Sequence, residues 1–180
     1  IPVNPGGLAD RLRLGTREWH RAAERTRFMQ AMLRGQVGRP AYCRFLRSLH
    51  TIYEPLELAL VRHAGLASIA PLQLPGLPRS AALEADLLAL HGPDWRRDLP
   101  TPDAAADYAR HLQQLDASDP GLLMAHSYVR YLGDLSGGQL LQDIVARALG
   151  LSGEAGTRFY RFGEPGARAL AAAYRQGLAS

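Results

Sequence analysis

Apolar residues recur three and four positions apart along most of this chain, and nowhere does the pattern settle into the two-residue alternation of a strand. Residues 8–34 read as a first amphipathic helix closed by Gly35. Residues 40–64 read as a second, with Pro40 suited to its first turn and Gly65 to its stop. Pro55 falls inside this second segment and predicts a kink just upstream. Residues 66–78 hold three prolines and Gly76 and read as a surface loop, a connection rather than a domain boundary. A helix over 79–91 is broken by HGPDW, and TPDAAADY opens a fourth at Pro102 that reaches about Leu115. SDPG, residues 118–121, opens the longest helix, with Asp119 as N-cap and Pro120 in the first helical position. On it Leu122, His126, Val129, Gly133, Leu140 and Ile144 recur mostly three, four or seven apart, down to Gly150. A last helix follows FGEPG, at about 165–178. The pattern predicts an all-α fold of five or six helices forming one domain over 1–180, without heptads or repeats.

Composition adds bounds to this picture. The 180 residues are enough for a sizeable core, and 47% hydrophobic with 21% charged residues fits a soluble globular chain. Cys43 is the single cysteine, which precludes an internal disulfide and suits a reducing, cytoplasmic setting. No run approaches the roughly 18 apolar residues of a membrane span, so no membrane attachment is expected. The first thirty residues show no secretory leader, and a chain opening on Ile1 rather than methionine is expected to have had something N-terminal removed or left out. All 21 basic residues are arginine, and the net charge of +4 is too dispersed to argue for nucleic acid. Arg11, Arg13, Arg17, Arg21 and Arg25 do cluster near the N-terminus, as a solvated helix face would have them.

The stretch RYLGDLSGGQLL, residues 130–141, is at odds with its helix. It holds Gly133, Gly137 and Gly138, and each glycine in a helix interior costs about 1 kcal/mol relative to alanine. Gly133 and Gly137 share a face, while Gly138 lies about 100° further round. Three uses are open: a second helix crossing tightly, a kink, or a ligand lying flat against bare backbone. Asp134 weighs against the first, because a carboxylate buried in a helix crossing is costly unless paired. His20 lies one turn before Glu24, a spacing that lets the carboxylate hold the second ring nitrogen of a metal-ligating histidine. The same spacing joins His50 to Glu54, so an ordinary structural histidine is equally open. There are no paired Glu-x-x-His motifs for a di-iron bundle and no clustered Cys or His for zinc.

AHSYVRYLGDLSGGQLL, 125–141, closely resembles the signature of the heme oxygenases. TREWHRAAERTRFMQAMLRGQV, 16–37, resembles the family's proximal-helix segment, and LHTIYEPLE, 49–57, the helix after it. AALEADLLALHGPDW, 81–95, and YRFGEPGARALAAAYR, 160–175, follow in family order, so the resemblance covers nearly the whole chain. It implies the all-α heme oxygenase fold, with heme held between a proximal and a distal helix. His20 matches the axial iron ligand and Glu24 its partner. Gly133 and Gly137 match the distal glycines that let the backbone approach the heme face, with Gly138 beside them. Asp134 matches the carboxylate that organises distal water, and Arg130 and Tyr53 match members of its network. Arg13, Arg17, Tyr128 and Arg175 fall where the family places groups around the heme propionates. Arg17 stands where many relatives carry lysine, and a guanidinium can hold a carboxylate bidentately.

The activity implied is cleavage of heme, at once cofactor and substrate, to biliverdin, carbon monoxide and ferrous iron. It requires O2 and electrons from an external donor, a ferredoxin or flavoprotein reductase, and hands its product to a downstream bilin acceptor. The alternative is a heme carrier or sensor on the same fold; loss of Asp134 or the distal glycines would mark it, and both are retained. His126, two turns before the signature's glycines, is expected to serve as a structural or hydrogen-bonding histidine.

Overall fold

The computed structural model describes residues 6–179. It contains eight α-helices: α1 Leu8–Glu24, α2 Arg27–Leu33, α3 Arg39–Arg62, α4 Ser80–His91, α5 Trp95–Asp98, α6 Asp103–Ser118, α7 Leu123–Leu149 and α8 Ala167–Gly177. Single 3-10 turns occupy Ala70–Leu72, Pro120–Leu122 and Arg158–Tyr160, and there is no strand among the described residues. The all-α expectation holds, but the number of helices is eight rather than five or six. Two causes account for the excess. The segment read as one helix over 8–34 turns a corner at Arg25 and Thr26. Thr26 is extended there and its side chain accepts from the Met29 N–H, while Gln30 donates to the Glu24 carbonyl across the corner at 2.8 Å. The HGPDW break, in turn, contains the single-turn helix α5.

The centre of the molecule is α3, packed between α4 and α6 and crossed by α7. Tyr42, Leu46, Tyr53 and Leu56 of α3 are fully buried against Leu83 and Leu87 of α4 and Leu112 of α6. Pro55 lies inside α3, which stays helical through it. The 66–78 stretch is not the surface loop its prolines suggest: Ile69, Leu72 and Leu77 are buried, because the turn at Ala70–Leu72 folds its apolar side chains into the core. Asp119 makes no side-chain cap, since Pro120 opens a 3-10 turn and α7 begins at Leu123. Gly150 ends α7 in the left-handed conformation, φ 62°, as its expected role as a stop requires.

One glycine fixes how α8 docks. A Cβ at Gly177 would lie 2.5 Å from the Pro71 carbonyl oxygen and 3.0 Å from its carbon, and main chain cannot step aside. Gly177→Ala is expected to destabilise the protein by about 1–3 kcal/mol. Thermal unfolding would report this as roughly 2–4 °C lost per kcal/mol.

Candidate functional site

The glycine stretch lies in the middle of α7, which stays α-helical from Leu123 to Leu149. Its three glycines do two different jobs. A Cβ built on Gly133 or on Gly137 meets nothing within 4 Å. No helix crosses that face, so the tight-crossing explanation fails, and the unbroken helix leaves no break for the glycines to serve. Bare backbone there faces open space. Gly138 is buried: its Cβ would stand 3.4 Å from the Tyr160 ring and 3.7 Å from the Tyr160 carbonyl. The close approach that spacing suggests for a partner element occurs at Gly138, with the Arg158–Tyr160 turn as the partner.

Asp134 turns towards α3. The Tyr53 hydroxyl, fully buried, donates to its carboxylate in a short hydrogen bond. Burial pushes the Asp134 carboxyl up to about 7, against the Tyr53 hydrogen bond and the Arg130 and Arg79 charges that favour the anion. Burial and the neighbouring carboxylate hold Tyr53 well above its ordinary value, so it stays a donor. The result is a carboxyl that takes and releases a proton near neutral pH, a property found at catalytic centres more often than in structural pairs. Arg130, four residues before Asp134, is half-buried and its Nε has no hydrogen-bond partner. An orphaned donor of this kind is costly unless something completes it.

Helix α1 lies along α7 and α2, and none of its residues is buried. The Tyr128 hydroxyl donates to the Ala9 carbonyl at 3.2 Å, tying its first turn to α7. Near its other end the His20 side chain is 67% exposed, with Nδ1 3.4 Å from Glu24 Oε1. This engages one ring nitrogen and leaves Nε2 for a ligand. Tyr128, Arg13 and Arg175 form one electrostatic neighbourhood: burial raises the Tyr128 hydroxyl, and the two arginines draw it back. Arg13 also pairs with Asp10 at 3.7 Å. Arg17, exposed one turn on, has no ion-pair partner among the described residues. His126 shares a 2.8 Å hydrogen bond with the Tyr108 hydroxyl, and its ring stands edge-on to His111, 5.3 Å between centroids. Burial lowers it, so it is a neutral structural histidine.

The residues therefore divide into an α1 group, with His20, Glu24, Arg13 and Arg17, and an α7 group, with Tyr128, Arg130, Gly133, Asp134 and Gly137. Tyr53 supports the second group from α3, and Arg175 of α8 stands near Tyr128. A flat anionic ligand with a metal centre fits this donor set. The set offers bare backbone at Gly133 and Gly137, an imidazole nitrogen at His20, guanidinium groups for acid side chains, and the unpartnered Arg130 Nε.

Sequence reasoning missed a second, buried set. Glu57 of α3 accepts from the Arg79 and Ser80 main-chain N–H groups, from the Ser80 hydroxyl, and from the Tyr131 hydroxyl of α7 at 3.3 Å. Asp86 of α4, fully buried, accepts from the Arg158 and Phe159 N–H groups at 2.9 and 2.8 Å and so holds the turn that carries Tyr160. The available signal was a charged residue on a core stripe: Glu57 follows Tyr53 by four, and Asp86 follows Leu83 by three.

The heme oxygenase family profile matches residues 6–180. Heme oxygenase 1 of Nostoc sp. is 36% identical over 172 residues, covering 95% of this chain and 72% of that protein. Heme oxygenase 2 of Synechocystis sp. is 41% identical over 155 residues, covering 86% and 62%. The chain thus spans about two thirds of the length of these relatives. Among solved structures, heme oxygenase from Leptospira interrogans superposes with a TM-score of 0.92 at 37% identity, covering 97% of this chain and 85% of that one. Heme oxygenase-1 from Synechocystis sp. in complex with heme gives 0.90 at 35% identity, covering 96% and 78%.

Proposed function

Because the chain belongs to the heme oxygenase family, whose members are oxidoreductases that degrade heme to biliverdin, we propose that it cleaves heme oxidatively to biliverdin, carbon monoxide and ferrous iron. The observation that carries this reading is the pairing on α7 of an empty glycine face with a carboxyl poised at about 7 beside it. A heme carrier would need the first and have no use for the second.

Heme bound here supplies both the iron that activates O2 and the porphyrin edge that is oxidised. The protein's part is placement and proton handling. His20 Nε2 would hold the iron, with Glu24 keeping the ring oriented through Nδ1. Gly133 and Gly137 would let the α7 backbone stand close to the porphyrin, where side chains would hold it off. Asp134, hydrogen-bonded by Tyr53 and steadied by Arg130, would hold the proton or the water that delivers it. Arg13, Arg17 and Arg175, with the Tyr128 hydroxyl, would hold the propionates and so set the seating that chooses which edge is oxidised. Gly138 contributes indirectly, by admitting Tyr160 and setting the seat of α7.

Electrons come from a ferredoxin or flavoprotein reductase. The exposed Arg11, Arg21 and Arg25 of α1 and its end, with no ion-pair partner among the described residues, suit an acidic donor. No helix among the described residues is long and apolar enough to cross a membrane. With its lone buried cysteine, the chain is suited to work in the cytoplasm and to pass biliverdin to a bilin acceptor.

The test is direct. Hemin added to the protein should give a Soret band, and reductant under air should convert it to bilin with release of carbon monoxide. A heme complex that survives reductant and air unchanged refutes the reading. His20→Ala should remove the iron bond, visible as a shifted Soret band, and reduce turnover at least tenfold.

A further inference from the structure

We propose that Glu57 and Arg79 are positioning residues of the distal site, two buried charged side chains that hold α7 and its carboxylate from the side of α3 and the start of α4. The inference rests on Asp134 as the proton-holding group and names what sets it.

The geometry is as follows. Arg79, 6% exposed, precedes α4. Its guanidinium donates to the Gly76, Leu77 and Pro78 carbonyls at 2.7, 2.9 and 2.8 Å, and to the Arg161 carbonyl at 2.6 Å. It lies 4.2 Å from the centre of the Phe162 ring. One side chain thus clasps the chain before α4 to the chain after Tyr160. Tyr160 is the residue seated against Gly138, so Arg79 fixes the element that α7 leans on. Glu57 reaches α7 directly through Tyr131, while its other bonds hold the first turn of α4. Tyr131 packs on Tyr53, 6.0 Å between ring centres, and Tyr53 donates to Asp134. All four groups that contact the Glu57 carboxyl donate to it.

Both charges reach Asp134. The groups facing it are Tyr53 and Glu57 from α3, Arg130 and Tyr131 from α7 itself, Arg79 from the start of α4, and Tyr160 from the turn. Glu57 favours the protonated acid and Arg79 the anion. A buried charged side chain is costly unless hydrogen bonds satisfy it, and both of these are satisfied.

The test uses the heme-free protein, so its outcome does not depend on turnover. Carboxyl carbon NMR of labelled aspartate follows the Asp134 midpoint with pH, assigned by its absence from Asp134→Asn. Glu57→Gln should lower the midpoint, and Arg79→Gln, whose amide still donates to nearby carbonyls, should raise it, each by on the order of one unit. Glu57→Asp, which keeps the charge, should return it towards the wild-type value. The opposite signs matter: a general loosening that admits water would lower the midpoint in both Gln variants. Shifts in the same direction, or none in either variant, overturn the proposal. If only one Gln variant folds, its own sign decides, with Glu57→Asp as the control for Glu57→Gln and Arg79→Lys for Arg79→Gln.

Discussion

Asp134→Ala should bind hemin with a near-normal Soret band and yield almost no bilin, a loss of about 10²-fold or more in the productive rate, the range for removal of a positioned proton donor. His20, the proposed iron ligand, is on another helix and is untouched, so affinity and chemistry should separate. Normal bilin yield would remove Asp134 from proton delivery. Asp134→Asn adds a second measurement, because the pKa is also a statement about stability. Folding raises this carboxyl from its ordinary 3.8 to about 7, so the native state binds the proton more tightly than the unfolded chain. The penalty for an ionised Asp134 is absent below about 4, grows through the interval from about 4 to about 7, and is full above it. Its ceiling is roughly 4 kcal/mol, at 1.36 kcal/mol per unit. Asn keeps an acceptor for Tyr53 and cannot ionise. The variant should therefore be more stable than the parent at pH 8 and indistinguishable near pH 4 in urea unfolding. A variant gaining stability while losing its reaction is the expected sign of a site held away from its most stable composition.

Gly137→Ala should make the heme-free protein more stable and the heme complex weaker. With nothing within 4 Å of the new methyl, only helix propensity acts in the free protein, worth about 1 kcal/mol, or roughly 2–4 °C in Tm. In the proposed complex the same methyl would project into the space where backbone meets porphyrin. Overpacking of about 1–3 kcal/mol corresponds to about 5- to 140-fold in hemin affinity at a factor of ten per 1.4 kcal/mol. Gly133→Ala should behave alike. Gly138→Ala should not: its methyl would stand in ordinary contact with Tyr160, 3.4 Å from the ring, and away from the open face, so hemin affinity should be unchanged. Thermal melts with and without hemin on the three variants check both halves. Equal behaviour of Gly137 and Gly138 would contradict the division of labour along α7.

Most helices were legible from apolar residues at helical spacing, but on α7 the stripe through Leu122, Val129 and Leu140 is exposed and the buried face runs through Tyr128, Tyr131, Leu132 and Leu135; the signature stands out because glycine is a poor helix former. The spacing of Gly133 and Gly137 alone could not say what lies over them; a tight crossing and a flat ligand leave the same trace, and the surrounding space decides. The corner at Thr26 was missed because threonine also sits within helices, and only its extended backbone with the Met29 N–H bound reveals the cap. The burial of Ile69 and Leu77 was missed because proline marks a break in helix and says nothing about depth. Glu57, Arg79 and Asp86 went unread for a related reason. A charged residue is assigned to the surface by default, and its burial depends on partners from elements far along the chain: residue 131 for Glu57, residues 158 and 159 for Asp86, residue 161 for Arg79.

Helix α1 buries none of its residues, and this has a consequence for the reaction cycle. A helix with so little buried surface stands to gain stability from whatever it binds, and that gain follows occupancy: about 2.7 kcal/mol when ligand stands at a hundred times its dissociation constant. The other helices bury the core, while α1 rests on it through Ala9 and Leu12, so α1 is the element that a filled site would steady most. If His20 holds the iron as proposed, loss of the iron from the opened ring would remove that support, and release of the product would be coupled to loosening of α1.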